Sequence, residues 1–234
     1  MANKLVITCE HASNTIPSAY SFLFFDAEED LKSHKGLDIG AFEFYNEVLQ
    51  NCTACFFKHG ETSRLLVELN RTENQPGYFS KYSNHLDVKT KKEITQKYYL
   101  PYRKEVITEI SNLINSGNTV YHISIHSFTP NLNGEIRTAD LGLLFDTERQ
   151  IEKQFCESFK KEINLLLPEL IVKMNYPYLG TDDGLTTTLR SIFKTHYLGI
   201  ELELNQKHFK NQKWPVAFNQ IIEGLKLSYG SNHF

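Results

Sequence analysis

Short apolar runs and longer stretches with helical spacing alternate along this chain of 234 residues. Lys4 to Cys9 is a nearly unbroken apolar run and reads as an interior strand. From Ile39 to Leu49, Phe42, Tyr45, Val48 and Leu49 recur at helical spacing, which predicts an amphipathic helix. Thr53 to Phe57 and Leu65 to Leu69 read as two further strands, the second delivering Asn70 and Arg71. Thr72 to Thr90 is long, polar and spotted with aromatics, the pattern of a surface excursion or a loop that closes over a site. Tyr78 and Tyr82 lie in it and are candidates for shaping specificity. A long helix is expected from Lys91 to Ile114, bent at Pro101, whose nitrogen cannot donate to the ladder.

The second half continues the alternation. YHISIHSFTP, Tyr121 to Pro130, is a β-branched alternating strand that carries His126 towards its carboxyl end. Ala139 to Phe145 is a strand. Glu148 to Leu167 is a helix, with Asp146 or Thr147 as cap and Gln150 completing a capping box from Thr147. Its apolar face is Ile151, Phe155, Phe159, Ile163 and Leu166. Leu170 to Met174 is a short strand, Thr186 to Phe193 a brief helix with Arg190, and Tyr197 to Leu204 a clear strand. Trp214 to Tyr229 closes the chain as an amphipathic helix with Val216, Ile221, Ile222 and Leu225 on one side. Such alternation over residues 1–234, without repeats or a linker, predicts a single α/β domain with helices on both faces of a mostly parallel sheet.

Composition narrows the function. A net charge of -3 gives no electrostatic case for nucleic acid or an anionic membrane. No run approaches the ~18 apolar residues of a membrane span. The apolar run at the start is too short for a signal peptide, so a cytoplasmic protein is expected. Cys9 and Cys156 fall in core positions, and Cys52 and Cys55 form a CxxC without a second such pair. Structural thiols in a reducing compartment are the plain reading, a redox or half-zinc site the alternative.

In α/β sheets ligands bind beyond the carboxyl ends of the strands. His11, Asn70, Arg71 and His126 all fall at expected ends of that kind. Two imidazoles and a carboxylate would leave an open position on a metal ion. The carboxylate is either Asp38, in GLDIG before a helix, or Glu10 beside His11. Arg71 offers a planar fork for a substrate carboxylate, unless it pairs with Glu68 or Glu73; Arg64 is its weaker companion. In GIELELNQ, Glu201 and Glu203 point to one face of a strand, where burial without a partner is costly. A glutamate there could move a proton for hydrolysis; a solvated edge strand is the alternative.

With these stretches quoted, the chain resembles the N-formylglutamate amidohydrolase family, and more distantly the zinc carboxypeptidases that share its fold. The likeness runs through CEHASNTIP, HKGLDIGA, SRLLVELNR, SIHSFTP and GIELELNQ in that order. It implies a three-layer α/β/α sandwich of the zinc carboxypeptidase-like (phosphorylase/hydrolase-like) kind. It also implies one Zn2+ ion and hydrolysis of the C–N bond of a small N-formyl or N-acyl amino acid. His11 and His126 then correspond to zinc ligands, with Asp38 favoured as the third and Glu10 as competitor. Glu203 corresponds to the general base. Asn70 and Arg71 correspond to the grip on the substrate carboxylate, Arg64 to added positive charge at the reacting carbonyl, and Glu201 and Arg190 to further substrate contacts. The carboxypeptidase HxxE is missing, because Asn14 stands three residues after His11. A carboxypeptidase-like or cell-wall peptide amidase and a non-catalytic carboxylate-binding relative stay open. The expected partner is a small molecule, with neither nucleic acid nor membrane, in a monomer or homodimer.

Overall fold

The first apolar run becomes β1 (Asn3–Cys9) in the computed structural model, which describes residues 2–210 and 213–231. A 3-10 stretch (Ser18–Phe24), α1 (Glu28–Leu31), α2 (Ala41–Asn51), β2 (Phe56–His59), α3 (Val88–Ile94) and α4 (Leu100–Asn115) follow. Next come β3 (Thr119–Phe128), a small hairpin of β4 (Asn131–Leu132) and β5 (Glu135–Ile136), β6 (Leu141–Leu144) and α5 (Gln150–Leu166). The chain continues through β7 (Val172–Met174), α6 (Leu185–Ile192), β8 (Tyr197–Asn205), α7 (Lys207–Lys210) and α8 (Lys213–Ser231). No helix among the described residues is long and apolar enough to cross a membrane.

Six strands form the central sheet in the order β2-β1-β3-β8-β6-β7. The first four run parallel; β6 is antiparallel to β8, and β7 parallel to β6. This is the mixed, mostly parallel sheet the alternation predicts. From β1 the chain goes first to β2 on one flank and later to β3 on the other. That reversal opens a crevice beyond the carboxyl ends of β1 and β3.

The two-residue period of the strands separates two kinds of surface. Leu5, Ile7, Ile123, Ile125, Ile200 and Leu202 pack against α2, α5 and α8 in one core with Phe44, Phe155, Phe159 and Ile221. Val6, Val120 and Tyr197 face the other way, towards Val106 and Ile110 of α4 and Leu189 of α6. Nearer the carboxyl ends, this second surface turns polar: Thr8, His122, Ser124, His126, Glu201 and Glu203 are all buried on it. Parallel pairing sets Ser124 beside Glu201 and His126 beside Glu203. Buried polar groups are tolerated only with partners. His122 has structural ones, the hydroxyls of Thr8 and Tyr197, each at 2.8 Å. The others build a site.

Several sequence expectations need correction. Leu65 to Leu69 is buried but is no strand. The amide of Glu68 bonds the Tyr78 carbonyl (2.9 Å), and Leu65's carbonyl takes the hydroxyl of Ser83, so loop partners replace a sheet. The stretch from 72 to 90 is anchored on this loop by buried Tyr78 and Ser83, while most of its remaining residues are exposed, as expected of a surface excursion. The long helix begins at Val88, capped by Asp87, and passes through a π-helical turn (Thr95–Tyr99) that accommodates Pro101 just beyond it. No capping box opens α5: Asp146 bonds the Glu148 amide, and Glu152 reaches back to the amide of Asp146, each at 3.0 Å. Glu152 is buried while Ile151, expected on the core face, is 40% exposed. On α8, Val216 is likewise exposed.

Candidate active site

His11 lies two residues past the end of β1 and His126 near the end of β3, so the crevice between these strands receives both rings. Asp38 comes from the loop before α2, where its amide bonds the His11 carbonyl (3.0 Å). Gly40 follows with φ +83°, a left-handed turn that suits glycine, and α2 begins next. Asp38 Oδ2 stands 3.2 Å from His11 Nδ1 and 3.0 Å from His126 Nδ1, and the two nitrogens are 3.2 Å apart. Tetrahedral zinc with bonds of ~2.0–2.1 Å needs neighbouring donors about 3.3 Å apart. The three side chains are the group among the described residues that could hold a metal ion.

Both rings and Asp38 are also held from behind. His11 Nε2 meets Glu68, and His126 Nε2 meets Glu10 at 3.1 Å and the Ser124 hydroxyl at 2.9 Å. Carboxylates on the far nitrogen fix the tautomer and orientation of a metal-ligating histidine. Tyr102 donates to Glu10 (2.7 Å), and Ser127's amide to Asp38 (3.2 Å). Arg64 binds Glu68 through Nε (2.7 Å) and Asp38 through Nη1 (3.2 Å).

Charge makes the same point. Burial by itself would raise the carboxyl pKa values. It is outweighed at Glu10 by His126, at Asp38 by His11 and His126, and at Glu68 by Arg64 and His11; all three stand well below the usual range. Burial would also lower both histidines, yet the facing carboxylates lift His11, and lift His126 well above its ordinary value. Three buried anions and Arg64 leave a deficit of two positive charges. In the ion-free state the raised affinity of both imidazoles for protons offsets it. One divalent cation with neutral imidazoles meets it equally well. The residues fit a zinc-like ion.

Glu203 stands beside this group with a different balance. It is 5% exposed, and its Oε2 is buried without a hydrogen-bond partner. Burial first, then the charges of Asp38 and Glu201, push its pKa up to about 8 against the pull of His126 and His11. A carboxyl group near neutrality in a cleft is suited to proton transfer.

The comparisons with known proteins bear on this geometry. The family model described as N-formylglutamate amidohydrolase matches residues 3–209. The chain belongs to that family. Among curated proteins, none matches it. Two solved structures share the fold of this N-formylglutamate amidohydrolase family member. One is a gene product of Agrobacterium tumefaciens, 24% identical, with a TM-score of 0.79 over 97% of this chain and 91% of that one. The other is an N-formylglutamate amidohydrolase from Ralstonia eutropha JMP134, 15% identical, with a TM-score of 0.68 over 97% and 93%. The family's chemistry is hydrolysis of an amide bond.

Most residues singled out in the sequence meet in one cavity of about 390 Å³, lined by His11, Asp38, Arg64, Asn70, Arg71, His126, Glu201 and Glu203 among others. Asn70 is fixed by accepting the Leu185 amide at Oδ1 (2.7 Å). Glu201 takes the Thr186 hydroxyl on Oε1 (2.5 Å). Arg71 has neither Glu68 nor Glu73 as an ion-pair partner; Glu68 belongs to His11 and Arg64. Glu10, expected as the competing carboxylate, stands at the far nitrogen of His126.

Three expectations fall elsewhere. Arg190 is buried away from the cavity, its guanidinium bound to Glu152 (3.0 Å) and to the carbonyls of Gly180 and Gly199. Tyr78 packs inward on Thr95, and Tyr82 bonds Asp30 (2.8 Å). Glu68 and Tyr102, and the further cavity-lining residues Tyr178 and Asp183, were missed. Glu68 carried a signal, a lone acid inside LLVEL, of the same kind that exposed Glu203.

Proposed function

We propose that this chain is a zinc-dependent amidohydrolase that cleaves the C–N bond of a small N-formyl or N-acyl amino acid. The observation that carries the reading is the meeting of His11, His126 and Asp38 beside the unpartnered carboxylate of Glu203. A zinc ion among those three ligands supplies positive charge that polarises an amide carbonyl and acidifies water. Glu203 takes the proton of the attacking water at its free carboxylate oxygen and passes it to the leaving nitrogen. The carbon–nitrogen bond breaks, giving a carboxylic acid and a free amino acid. Arg71, whose fork has no ion-pair partner among the described residues, grips the substrate carboxylate. Asn70, with its oxygen committed to Leu185, has its amide hydrogens left to donate to the substrate. Arg64 acts through others: it orients Asp38 and Glu68 and adds its charge beside them.

A non-catalytic carboxylate binder would have no use for a buried proton acceptor without a partner, which favours the enzyme. The test is a panel of N-formyl and N-acetyl amino acids with the zinc-loaded protein, N-formylglutamate first. Release of formate with a free amine is expected. Cleavage confined to peptides, or no cleavage at all, rejects the proposal.

A further inference from the structure

The segment that carries Asn70 and Arg71 lies outside the sheet, so its backbone is satisfied and aimed by other means. Side chains of the long helix do this. Arg103, on α4 and 4% exposed, donates through Nη1 to the carbonyl of Leu69 (3.2 Å) and, at the limit of bonding distance, to that of Asn70 (3.5 Å). Its Nη2 donates to the Thr188 hydroxyl of α6 (2.7 Å). Tyr99, one turn earlier, donates its hydroxyl to the Arg71 carbonyl (2.9 Å). The π-helical turn ends at Tyr99, and residues four apart on a helix share a face, so both side chains reach the same segment.

Other bonds complete the frame. The Asn70 amide donates to Glu68 Oε1 (3.0 Å), the carboxylate behind His11, and Thr72 donates its amide to Asp183 (3.1 Å). Gly77, at φ +84°, lies against the Arg71 side chain; a Cβ there would stand 3.1 Å from its Nε.

Buried carbonyls need donors whatever a protein does. That reason does not select an arginine. A buried cation is costly, and the bonds of Arg103 among the described residues all go to neutral oxygens. A neutral amide side chain would satisfy the two carbonyls at lower cost. A guanidinium adds a rigid planar fork that spans two elements at once. Here the two elements are those that fix Asn70: its own backbone, and α6, whose first amide, of Leu185, holds its side-chain oxygen.

Resting on the reading of Asn70 and Arg71 as the grip on the substrate carboxylate, we infer that Arg103 is a positioning residue for substrate binding. It is not among the residues lining the cavity. It acts through the carbonyls of Leu69 and Asn70, setting the angle at which Asn70 and Arg71 enter the cavity, while Tyr99 fixes the carbonyl of Arg71. Donors placed in advance lose less freedom when the carboxylate arrives.

The test uses Arg103→Lys, which keeps the charge and loses the fork, and Tyr99→Phe, which removes one hydroxyl. With N-formylglutamate and the zinc-loaded protein, Arg103→Lys should raise KM about tenfold and Tyr99→Phe about threefold, with kcat within about twofold of the parent and zinc content unchanged. In an Arg71→Ala background both effects on kcat/KM should shrink to about twofold or less, because the main donor they aim is gone. A merely structural arginine would show no such coupling. Titration calorimetry of N-formylglutamate on the metal-stripped proteins should show the same losses of affinity without turnover. If Arg103→Lys does not fold, Tyr99→Phe carries the same test. Unchanged affinity in the folded variants, a loss confined to kcat, or losses undiminished in the Arg71→Ala background overturns the inference and leaves the amidohydrolase reading standing. An Arg71→Ala protein that binds as tightly as the parent removes the grip and the inference with it. The expected pattern of binding without any cleavage supports the inference and removes the amidohydrolase reading.

Discussion

Glu203→Gln should lose activity and gain stability together. The carboxyl group titrates near 8 in the folded protein because it is buried, against an ordinary value of 4.5. Below pH 4.5 it is protonated in both folded and unfolded chains and costs nothing. Above that, the unfolded chain releases a proton that the folded one retains, so stability falls as pH rises towards 8. At pH 7 the loss from this one group is about 3 kcal/mol. Glutamine keeps the shape and cannot ionise. Metal-free Glu203→Gln should therefore be about 3 kcal/mol more stable than the parent at pH 7, with the gain fading to nothing near pH 4.5. Urea unfolding of both metal-free proteins from pH 4.5 to 8 measures the difference. In the zinc-loaded protein the same change should cut turnover by about two or more orders of magnitude. A variant no more stable at pH 7, or one whose gain is undiminished at pH 4.5, would refute the reasoning.

Three further outcomes follow from the charges. Zinc binding to the metal-free protein should release protons near neutral pH, because the facing carboxylates raise both His11 and His126 and the ion displaces the protons they hold; calorimetry in buffers of different ionisation heat counts them, and a proton-free association would contradict the assignment. Arg71→Lys should raise the Michaelis constant for carboxylate-bearing substrates because the bidentate fork is lost; an unchanged constant removes its role. His122, held neutral by burial with a pKa lowered to about 4, contributes stability that is complete above pH 6.5 and lost as pH falls towards 4. By pH 5 this amounts to about 2 kcal/mol, so the stability deficit of His122→Gln should shrink by that much between pH 7 and pH 5.

Strands β1, β3 and β8 were legible because their apolar residues form near-continuous or alternating runs, and several of the polar residues breaking those runs line the candidate site. Glu201 and Glu203 stood out for that reason. Leu65 to Leu69 misled because complete burial looks alike in a strand and in a loop wrapped by another loop; which group takes each backbone hydrogen bond is not written in hydrophobicity. Arg190 misled because a guanidinium matches a buried glutamate as well as it matches a ligand, and Glu152 lies 38 residues away. The carboxylates behind the histidines, Glu68 and Glu10, depend on long-range packing. Asp38 and Glu10 could not be ranked as ligands without it: the fold sets Asp38 on the nitrogens that face each other, and Glu10 on the far side of one ring.

The measurement that bears most directly on this account is the metal content of the purified protein and of its His126→Ala and Asp38→Ala variants. Plasma mass spectrometry after equilibration with zinc and desalting should find about one ion per chain in the parent and far less in either variant. Circular dichroism should show all three folded. A parent that retains no metal, or variants that retain it fully, would contradict a metal centre built from His11, His126 and Asp38.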